Sequence, residues 1–391
     1  MARRASFYVR YYAHMKKLRD IPHLEGVPVL VRAALNVPVA HGIVTNTFRL
    51  RSALPTIEYL REHRAKVILI GHIGDTGTET LLPVFEAMKE YIPDIRFCDA
   101  VTGTKVRQAV RELNPGDVLM LENLRRDTGE KKNDHAFALS LASIADVFVQ
   151  DSFDVCHRSH ASVIGIPAFL KSYAGLELEL EINELAKARN PKHPALAIIG
   201  GAKFSTKEPV LHALIKKYDI VFVGGALAND FMKAKGQSVG TSLVSSTDSS
   251  TLSELTESKK IMLPKDYIVG PVGSERSTEH HGPVTAVLSN EAILDAGPVT
   301  SLELAQLVAQ ARIILWNGPL GNYEKGFTDA TEGLARAIAS SSAYSIVGGG
   351  DTIAAIEKLG LGDRISFIST GGGAMLDFLA TGTLPGIEAL R

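Results

Sequence analysis

Cysteine is scarce in this sequence, since only Cys98 and Cys156 occur among 391 residues. The two are far apart and in no metal-ligand spacing, so we expect reduced thiols in a cytoplasmic protein rather than a disulfide framework. No apolar run approaches the ~20 residues that span a bilayer. The formal net charge is only -1, which excludes a global field that recruits nucleic acid or an anionic membrane. Any site for an acidic ligand must therefore be built from local groups.

Two familiar nucleotide-binding patterns are also missing, because the sequence contains neither a Walker A motif nor a clean Rossmann fingerprint. The N-terminal stretch MARRASFYVRYYAHMKKLRD is basic and aromatic. It lacks the continuous apolar h-region of a signal peptide. We expect an extra N-terminal turn or helix there, with a polybasic arm or an organellar transit segment as the alternatives.

What the sequence does contain is a repeated order of short apolar run, turn and amphipathic segment. The runs are near-continuous and rich in Val and Ile, which is typical of strands buried on both faces of a parallel sheet. The alternation predicts right-handed βαβ units and an α/β fold. The predicted strands are 27–31, 67–70, 118–121, 147–149, 196–199, 220–223, 313–315, 346–347 and 365–368.

The chain is too long for one ordinary hydrophobic core, and its length predicts two or three domains. One segment departs from the repeated order: Leu176–Arg189 is a long helix former with Glu early and Lys or Arg late, as the helix dipole favours. We expect it to connect two α/β lobes. The predicted division is an N-terminal lobe at 1–175, a connecting helix at 176–190, a C-terminal lobe at 191–373 and a final segment at 374–391.

Glycine clusters follow several of the predicted strands. Open parallel sheets bind ligands at the carboxyl ends of their strands. Glycine at these positions lets the backbone turn sharply and lets amides approach a phosphate. One cluster alone is weak evidence, because glycine after a strand usually makes only a turn. The clusters are GGAK (200–203), NGP (317–319), GGGDT (348–352) and GGG (371–373).

In combination and in this order, the motifs resemble phosphoglycerate kinases over the chain from about Leu24 to the C-terminus. The resemblance implies a monomeric, hinge-bending enzyme of glycolysis with two lobes, each a Rossmann-like parallel sheet flanked by helices, joined by a long helix and hinge. The motifs are LNVP (35–38), ALPTI (53–57), ENLR (122–125), HRSHAS (157–162), GGAKFSTK (200–207), WNGP (316–319), GGGDT (348–352), STGGGA (369–374) and LPGIEAL (384–390).

The same resemblance implies reversible phosphoryl transfer between ATP and the carboxylate of 3-phosphoglycerate, with Mg²⁺ as cofactor and no partners beyond these small molecules. The N-terminal lobe would hold phosphoglycerate, the C-terminal lobe Mg-ADP or Mg-ATP, and the segment 374–391 would return to the N-terminal lobe. A carboxylate nucleophile is already ionised at neutral pH, so no general base is required. Positioning and electrostatics supply nearly all of the catalysis.

By resemblance, Arg49 would clamp the substrate carboxylate, Lys203 would stabilise the transferring phosphoryl group, and Asp351 would hold the metal. Without the family, Arg49 reads as a surface arginine at a helix entry, the lysines as solvated, and Asp351 as an N-cap. The predicted catalytic residues are Arg49, Lys203, Gly371, Gly372 and Gly373. The predicted substrate-binding residues are Asn36, Arg49, His72, Arg125 and Arg158, of which Arg125 and Arg158 would be the retained anchors of the substrate phosphate. The predicted nucleotide-binding residues are Gly201, Lys203, Lys207, Gly224, Gly225, Asn317, Pro319, Glu324, Gly349, Gly350, Asp351 and Thr352.

The substrate half departs from the family pattern at three places. Ala34 stands where RVDFNVP has an aspartate for the substrate hydroxyl. Asp75 stands where SHLGRP has an arginine for the substrate phosphate. Asp154 and Val155 replace the glycine and threonine of FGTAHRAH. If all of them face the pocket, it is about two unit charges more negative, and a lost arginine weakens binding by roughly ten- to a hundred-fold.

Compensation is the alternative: Arg51 or Arg126 would take the vacant place, or a shortened loop would carry Asp75 away from the pocket. Three competing functions also stay open. They are a related kinase for another carboxylate with a less anionic tail, a nucleotide-binding pseudoenzyme acting as sensor or scaffold, and a dehydrogenase. The dehydrogenase is the weakest, because it does not explain the ordered set of motifs.

Overall fold

The computed structural model describes residues 15–245, 249–271, 280–283 and 287–391. The chain divides into two compact units. Unit 1 comprises the described residues up to Asn183 together with Thr383–Arg391, and unit 2 is Glu184–Gly382. The division falls inside the helix Leu176–Arg189, whose bounds equal those expected from the sequence. The C-terminal part of unit 1 begins at Thr383, later than the expected position 374.

Unit 1 is built on a six-stranded parallel sheet of order β5-β6-β4-β1-β7-β8. Along β1, Val29 and Val31 lie in one hydrophobic core and Leu30 lies in a second core. This burial on both faces explains the continuous apolar run. The strands are β1 (Pro28–Arg32), a short antiparallel pair β2 (Val39–Ala40) and β3 (Ile43–Val44), β4 (Lys66–Ile70), β5 (Arg96–Cys98), β6 (Val118–Leu121), β7 (Val147–Gln150) and β8 (Lys171–Ala174).

The helices of unit 1 follow the strands, as the alternation predicts. They are α1 (Phe48–Glu62), α2 (Leu82–Met88), α3 (Thr104–Arg111), α4 (Gly129–Lys132), α5 (His135–Ala142) and the first part of α6 (Leu176–Arg189). Short 3₁₀ turns occur at Leu18–Asp20, Leu124–Arg126, Phe153–Val155 and Ile166–Ala168, and a π-helical turn occurs at Ala161–Gly165. Leu18–Asp20 lies in the segment where we expect an extra N-terminal turn or helix, and the rest of that expectation, at 1–14, lies outside the described residues.

Helix α6 begins against a buried carboxyl group. The side chain of Asp151, directly after β7, is 1% exposed, and its Oδ1 accepts a hydrogen bond of 3.0 Å from the amide of Glu177. Burial raises the pKa of Asp151 to about 8. It also raises the pKa of Glu177, and the charge of Glu181 adds to this shift. The first turn of α6 therefore rests on carboxyl groups that hold their protons near neutral pH.

Unit 2 contains a second six-stranded parallel sheet of order β11-β10-β9-β15-β16-β17, and a separate antiparallel sheet of order β13-β12-β14. The strands are β9 (Ala195–Ile199), β10 (Ile220–Val223), β11 (Ile261–Met262), β12 (Asp266–Pro271), β13 (His280–Pro283), β14 (Glu291–Ala296), β15 (Ile313–Asn317), β16 (Tyr344–Gly348) and β17 (Phe367–Ile368). The expectation of two parallel sheets flanked by helices is confirmed, and the antiparallel sheet is an addition that the strand pattern did not predict.

The helices of unit 2 are α7 (Phe204–Leu214), α8 (Ala226–Ala234), α9 (Ser249–Glu257), α10 (Pro298–Gln310), α11 (Asp329–Ser340), α12 (Gly350–Lys358) and α13 (Gly373–Thr381), with short turns at Tyr323–Lys325 and Gly362–Arg364. Helix α14 (Pro385–Glu388) belongs to unit 1, where the amide of Gly386 donates a hydrogen bond of 2.8 Å to the carbonyl of Cys156. Cys98 and Cys156 are both free and buried. Among the described helices, none combines the length and the apolar character needed to cross a membrane.

Candidate active site

The carboxyl ends of the unit 1 strands bring predicted substrate residues together. Strand β1 lies between β4 and β7, and ligands of open α/β sheets bind where the strand order reverses in this way. Asn36 follows β1, and its Oδ1 accepts a hydrogen bond of 3.1 Å from the amide of Gly74, beyond β4. Arg49, in the first turn of α1, donates a hydrogen bond of 2.7 Å to the carbonyl of Asn36. Three chain segments are thus fixed at one edge of the sheet.

Arg32, the last residue of β1, is a member of this group that the sequence patterns did not single out. Its side chain is fully buried, and its guanidinium donates to the carbonyl of Ala33 (2.6 Å), to Ser162 Oγ (3.1 Å) and to Ser152 Oγ (3.4 Å). It also lies 2.8 Å from Nδ1 of His72. Because a guanidinium only donates, Nδ1 of His72 must be the acceptor, and the remaining ring proton is on Nε2.

Both histidines near the strand ends are held neutral. Burial, reinforced by the charges of Arg32 and Arg125, lowers the pKa of His72 well below its usual range. Burial and the charge of Arg158 lower the pKa of His160 to about 4. The group therefore offers fixed positive charges from arginines and neutral imidazoles, which suits an anionic ligand.

Arg125, a predicted phosphate anchor after β6, is bound by one of the altered residues. Its Nη1 donates to the carbonyl of Gly74 and forms an ion pair of 2.6 Å with Oδ1 of Asp75. The loop has therefore not carried Asp75 away from this group. Arg126 does not fill the gap either, because its Nη1 is paired with Glu122 at 3.3 Å.

The other two departures lie in the interior around Arg32. Ala34 is 1% exposed. Asp154 is also buried, and its Oδ1 accepts a hydrogen bond from the hydroxyl of Ser152. The negative charges of Glu130 and Asp154 both favour the charged form of Arg32, opposing the desolvation that lowers its pKa. Asp154 thus serves as a counter-charge for a buried arginine, while Arg158, the remaining predicted anchor, is exposed.

In unit 2 the segments that follow the strands are joined by main-chain hydrogen bonds at the carboxyl ends of the sheet. Strand β9 lies between β10 and β15, again a point where the strand order reverses. The amide of Gly200 donates to the carbonyl of Asn317 (2.8 Å), and the amide of Gly201 donates to the carbonyl of Pro319 (3.0 Å). The amide of Gly224 donates to the carbonyl of Ile199 (2.9 Å). We call the junction formed by Gly200, Gly201, Gly224, Gly225, Gly318 and Pro319 the glycine floor.

The glycine floor has no room for side chains. Gly225 has φ +61°, and a Cβ there would lie 2.7 Å from the carbonyl oxygen of Pro319 and 2.8 Å from the amide nitrogen of Gly201. Gly318 has φ +95°, and a Cβ there would lie 2.5 Å from the carbonyl oxygen of Gly200. Only glycine tolerates both the left-handed backbone and these distances. The glycine floor is therefore a closely packed main-chain junction that only glycine can form.

Lys207, in the first turn of α7, is directed at the same floor. A Cβ at Gly201 would collide with its Nζ. The lysine is buried, and this burial lowers its pKa to about 8, against the attraction of Asp351, which raises it. Thr352 is fully buried, and its Oγ1 accepts a hydrogen bond of 3.0 Å from the amide of Gly318. Gly349 lies beside it with φ +100°, and a Cβ there would lie 3.4 Å from the amide nitrogen of Gly318 and 3.5 Å from Thr352 Oγ1.

A cavity of about 600 Å³ lies above the glycine floor. This volume is in the range typical of small-molecule sites. The predicted residues in its wall are Gly201, Gly225, Pro319, Glu324 and Asp351. The wall also contains residues that the sequence did not predict, namely Asn229, Leu243, Leu294, Tyr323 and Phe327. Leu294 comes from strand β14 of the antiparallel sheet, which the strand pattern did not predict.

Lys203 and the glycines 371–373 stand at two helix starts. Lys203 is exposed and occupies the N-cap position of α7. Gly372 occupies the N-cap position of α13, with φ +49°. The amide of Gly371 is already bonded to Ser369 Oγ (3.1 Å). The remaining amides at the start of α13 are the ones suited to an anion.

The residues present fit a magnesium ion carried by a nucleotide better than a resident metal centre. Within the described part of the chain, no group of three or more His, Cys, Asp or Glu side chains could hold a metal. Asp351 is an exposed carboxylate in the cavity wall, in the first turn of α12. Mg²⁺ is commonly bound by one or two carboxylates together with substrate phosphates and water.

Comparisons with known proteins point to one family. The family model "Phosphoglycerate kinase" matches residues 18–382. The phosphoglycerate kinase of Moorella thermoacetica is 42% identical over 386 residues, 95% of this chain and 98% of that protein. That of Roseiflexus castenholzii is 39% identical over 96% of this chain and 99% of that protein.

Solved structures give the same result. The phosphoglycerate kinase of Coxiella burnetii superposes with a TM-score of 0.81 at 38% identity, covering 96% of this chain and 98% of that chain. The phosphoglycerate kinase of Pyrococcus horikoshii has a TM-score of 0.85 at 30% identity with the same coverage. The chain therefore belongs to the phosphoglycerate kinase family, whose members are phosphotransferases acting on a carboxyl group.

Proposed function

We propose that this protein transfers a phosphoryl group reversibly between ATP and the carboxylate of 3-phosphoglycerate, with the acid held by unit 1 and the nucleotide by unit 2. The observation that carries the proposal is the charge state of the unit 1 group. Arginines supply fixed positive charge at the strand ends, and His72 and His160 are kept neutral. Such a site binds and orients anions without a general base, which is what an ionised carboxylate nucleophile requires.

In unit 1, Arg49 is suited to the substrate carboxylate, because α1 and the carbonyl of Asn36 fix its guanidinium. His72 presents an Nε2 proton while Arg32 occupies Nδ1. It can therefore donate a hydrogen bond to the acid without changing its charge. Arg125 and Arg158 are the groups for the distal phosphate, where paired N–H donors recognise phosphate oxygens. Arg32 positions His72 through its hydrogen bond to Nδ1, and its own side chain is buried away from solvent.

In unit 2, the nucleoside would occupy the cavity above the glycine floor, with Glu324 in its wall for the ribose hydroxyls. Gly224, Gly225, Asn317 and Pro319 would shape the nucleoside end, and Gly349, Gly350 and Thr352 the phosphate end. The hydroxyl of Thr352 supports the floor through the amide of Gly318. This contact would give Thr352 a positioning role in addition to nucleotide binding.

Lys203, Lys207 and the amides at the start of α13 are the groups that would stabilise charge on the transferring phosphoryl group. The lowered pKa of Lys207 is matched to this role, because the arrival of nucleotide phosphates restores the charge that burial disfavours. Asp351 would hold Mg²⁺. When bound with the nucleotide, the ion neutralises phosphate charge.

The test is turnover of Mg-ATP by the purified protein with and without 3-phosphoglycerate, the acyl-phosphate product being captured by a coupled dehydrogenase. We expect saturable turnover that needs the acid and falls at least a hundredfold in Lys203→Ala, by loss of a charge-assisted contact in the transition state. Lys216→Ala is the matched control, because Lys216 is an exposed lysine just beyond the other end of α7. Equal losses in both variants would refute the assignment of Lys203.

A second candidate is a kinase for an acid with a less anionic tail, favoured by the Asp75–Arg125 pair. A panel of carboxylic acids with and without a distal phosphate distinguishes the two. Absence of turnover with every acid, while Mg-ADP still raises the melting temperature, would leave a nucleotide-binding role alone. A monomeric state, to be checked by analytical ultracentrifugation, and a cytoplasmic location, to be checked by cell fractionation, stay predictions.

A further inference from the structure

The guanidinium of Arg125, a predicted substrate-binding group, is already paired with another side chain of the protein. Its Nη1 forms an ion pair of 2.6 Å with Oδ1 of Asp75, and the same nitrogen donates to the carbonyl of Gly74. A carboxylate oxygen at this distance occupies the position that a phosphate oxygen takes when it binds a guanidinium.

The two partners differ in their freedom to move. The Arg125 side chain is 4% exposed, whereas the Asp75 side chain is 88% exposed. The loop backbone around Asp75 is fixed, because Lys131 donates to the carbonyl of Asp75 and Asn123 donates to the carbonyl of Glu79 (2.9 Å). The Asp75 carboxylate can therefore leave by a side-chain rotation into water, while the guanidinium and the loop stay in place.

Positive charge is concentrated around Arg125. The charges of Arg32 and Arg125 depress the pKa of both His72 and His160. The buried carboxylates that offset this charge act on Arg32. The carboxylate paired with Arg125 is that of Asp75, whose side chain is solvent-exposed. If the Asp75 carboxylate rotates into solvent, the guanidinium of Arg125 becomes available to another anion.

We infer that Asp75 is an internal anion that the distal phosphate of the acid substrate displaces from Arg125, so that this residue sets the affinity for the acid. The inference rests on the proposed function. Asp75 should therefore raise KM for the acid without changing KM for the nucleotide, because its carboxylate is paired with a predicted anchor of the substrate phosphate. The displacement also explains how the active arrangement is retained despite a negative residue beside a phosphate anchor.

The experiment compares the parent protein with Asp75→Asn, which keeps the size of the side chain and removes its charge. We expect KM for 3-phosphoglycerate to fall about threefold to tenfold, the worth of a half-exposed ion pair. We expect kcat and KM for Mg-ATP to stay within twofold. Asp94→Asn is the matched control, because Asp94 forms an ion pair of the same 2.6 Å with Arg61 elsewhere in unit 1.

A second step separates displacement from simple repulsion. In an Arg125→Gln background, Asp75→Asn should leave KM for 3-phosphoglycerate unchanged, because there is no guanidinium left to release. An undiminished gain in that background, an equal change in KM for Mg-ATP, or no gain in the parent background would each overturn the inference.

Direct titration of 3-phosphoglycerate by calorimetry repeats the comparison without turnover. If the parent protein binds the acid more weakly than Asp75→Asn yet shows no turnover, the inference holds and the proposed function fails. If turnover is present and the two proteins bind the acid equally, the proposed function holds and the inference fails. Inorganic phosphate as the titrant tests whether the distal group alone is sufficient.

Discussion

Replacing Asp151 by asparagine should remove part of the pH dependence of stability. Burial raises the pKa of Asp151 from the ordinary 3.8 to about 8 in the folded protein. Between these values the folded state holds a proton that the unfolded state releases, so the free energy of unfolding falls as pH rises. Asparagine has the shape of the protonated carboxyl, and its Oδ1 can accept the bond from Glu177 that Asp151 accepts at 3.0 Å.

The magnitude follows from the width of this window. Each pH unit inside it costs the parent at most about 1.4 kcal/mol, and about 2–4 kcal/mol accumulates from pH 5 to pH 8. The stabilisation by Asp151→Asn should therefore be about 2–4 kcal/mol larger at pH 8 than at pH 5. The slope that remains in the variant would come from groups such as Glu177, whose pKa burial also raises.

The assay is urea denaturation of both proteins at half-unit steps from pH 5 to pH 8.5, compared through their midpoints. Asp146→Asn is the control, since Asp146 is exposed and stands just before the same strand, β7. A difference between parent and Asp151→Asn that is constant over the whole range would show that Asp151 is ionised in the folded protein. That result would refute the reasoning.

Two further predictions concern unit 2. Gly225→Ala should lower the melting temperature and weaken ATP binding, because a Cβ at φ +61° would lie 2.7 Å from the carbonyl oxygen of Pro319. The expected loss in the free energy of unfolding is about 1–3 kcal/mol. Gly236→Ala is the control for backbone strain alone, because Gly236 has φ +75° and nothing within 4 Å of the added Cβ. Asp351→Asn should raise the Mg²⁺ concentration needed for half-maximal turnover by about tenfold through loss of one charged ligand, while a magnesium titration that matches the parent would remove Asp351 from the metal site.

Much of the fold could be predicted from the sequence because buried parallel strands leave a strong pattern. Runs such as 27–31 and 196–199 differ from the observed strands Pro28–Arg32 and Ala195–Ile199 by one residue. The short edge strand Arg96–Cys98 was missed because three residues, two of them only partly buried, make no run. The antiparallel strand Asp266–Pro271 was missed because Asp at its start and Gly-Pro at its end leave an apolar run of only three residues.

The candidate site was predictable where glycine marks a backbone requirement, as at Gly225 and Gly318. It was not predictable where a role depends on a partner distant in sequence. Arg32 reads as a polar end to a strand until Ser162 and His72 are seen on its guanidinium. The charges gained and lost at positions 34, 75 and 154, relative to the family pattern, can be counted from the sequence. Which arginine each acid faces is decided by the tertiary structure alone.

The glycine floor has a consequence for how the protein tolerates variation. A junction that is made from carbonyls and amides gives natural selection few side chains to adjust, so neighbouring substitutions cannot repair a change there by repacking. In a saturation library, we expect Gly200, Gly225 and Gly318 to be among the least permissive positions of unit 2. Gly225 would rank there although it is only half-buried. If the cavity holds the nucleotide as proposed, substitutions at wall residues that project side chains, such as Leu243, are the ones that can change nucleotide preference.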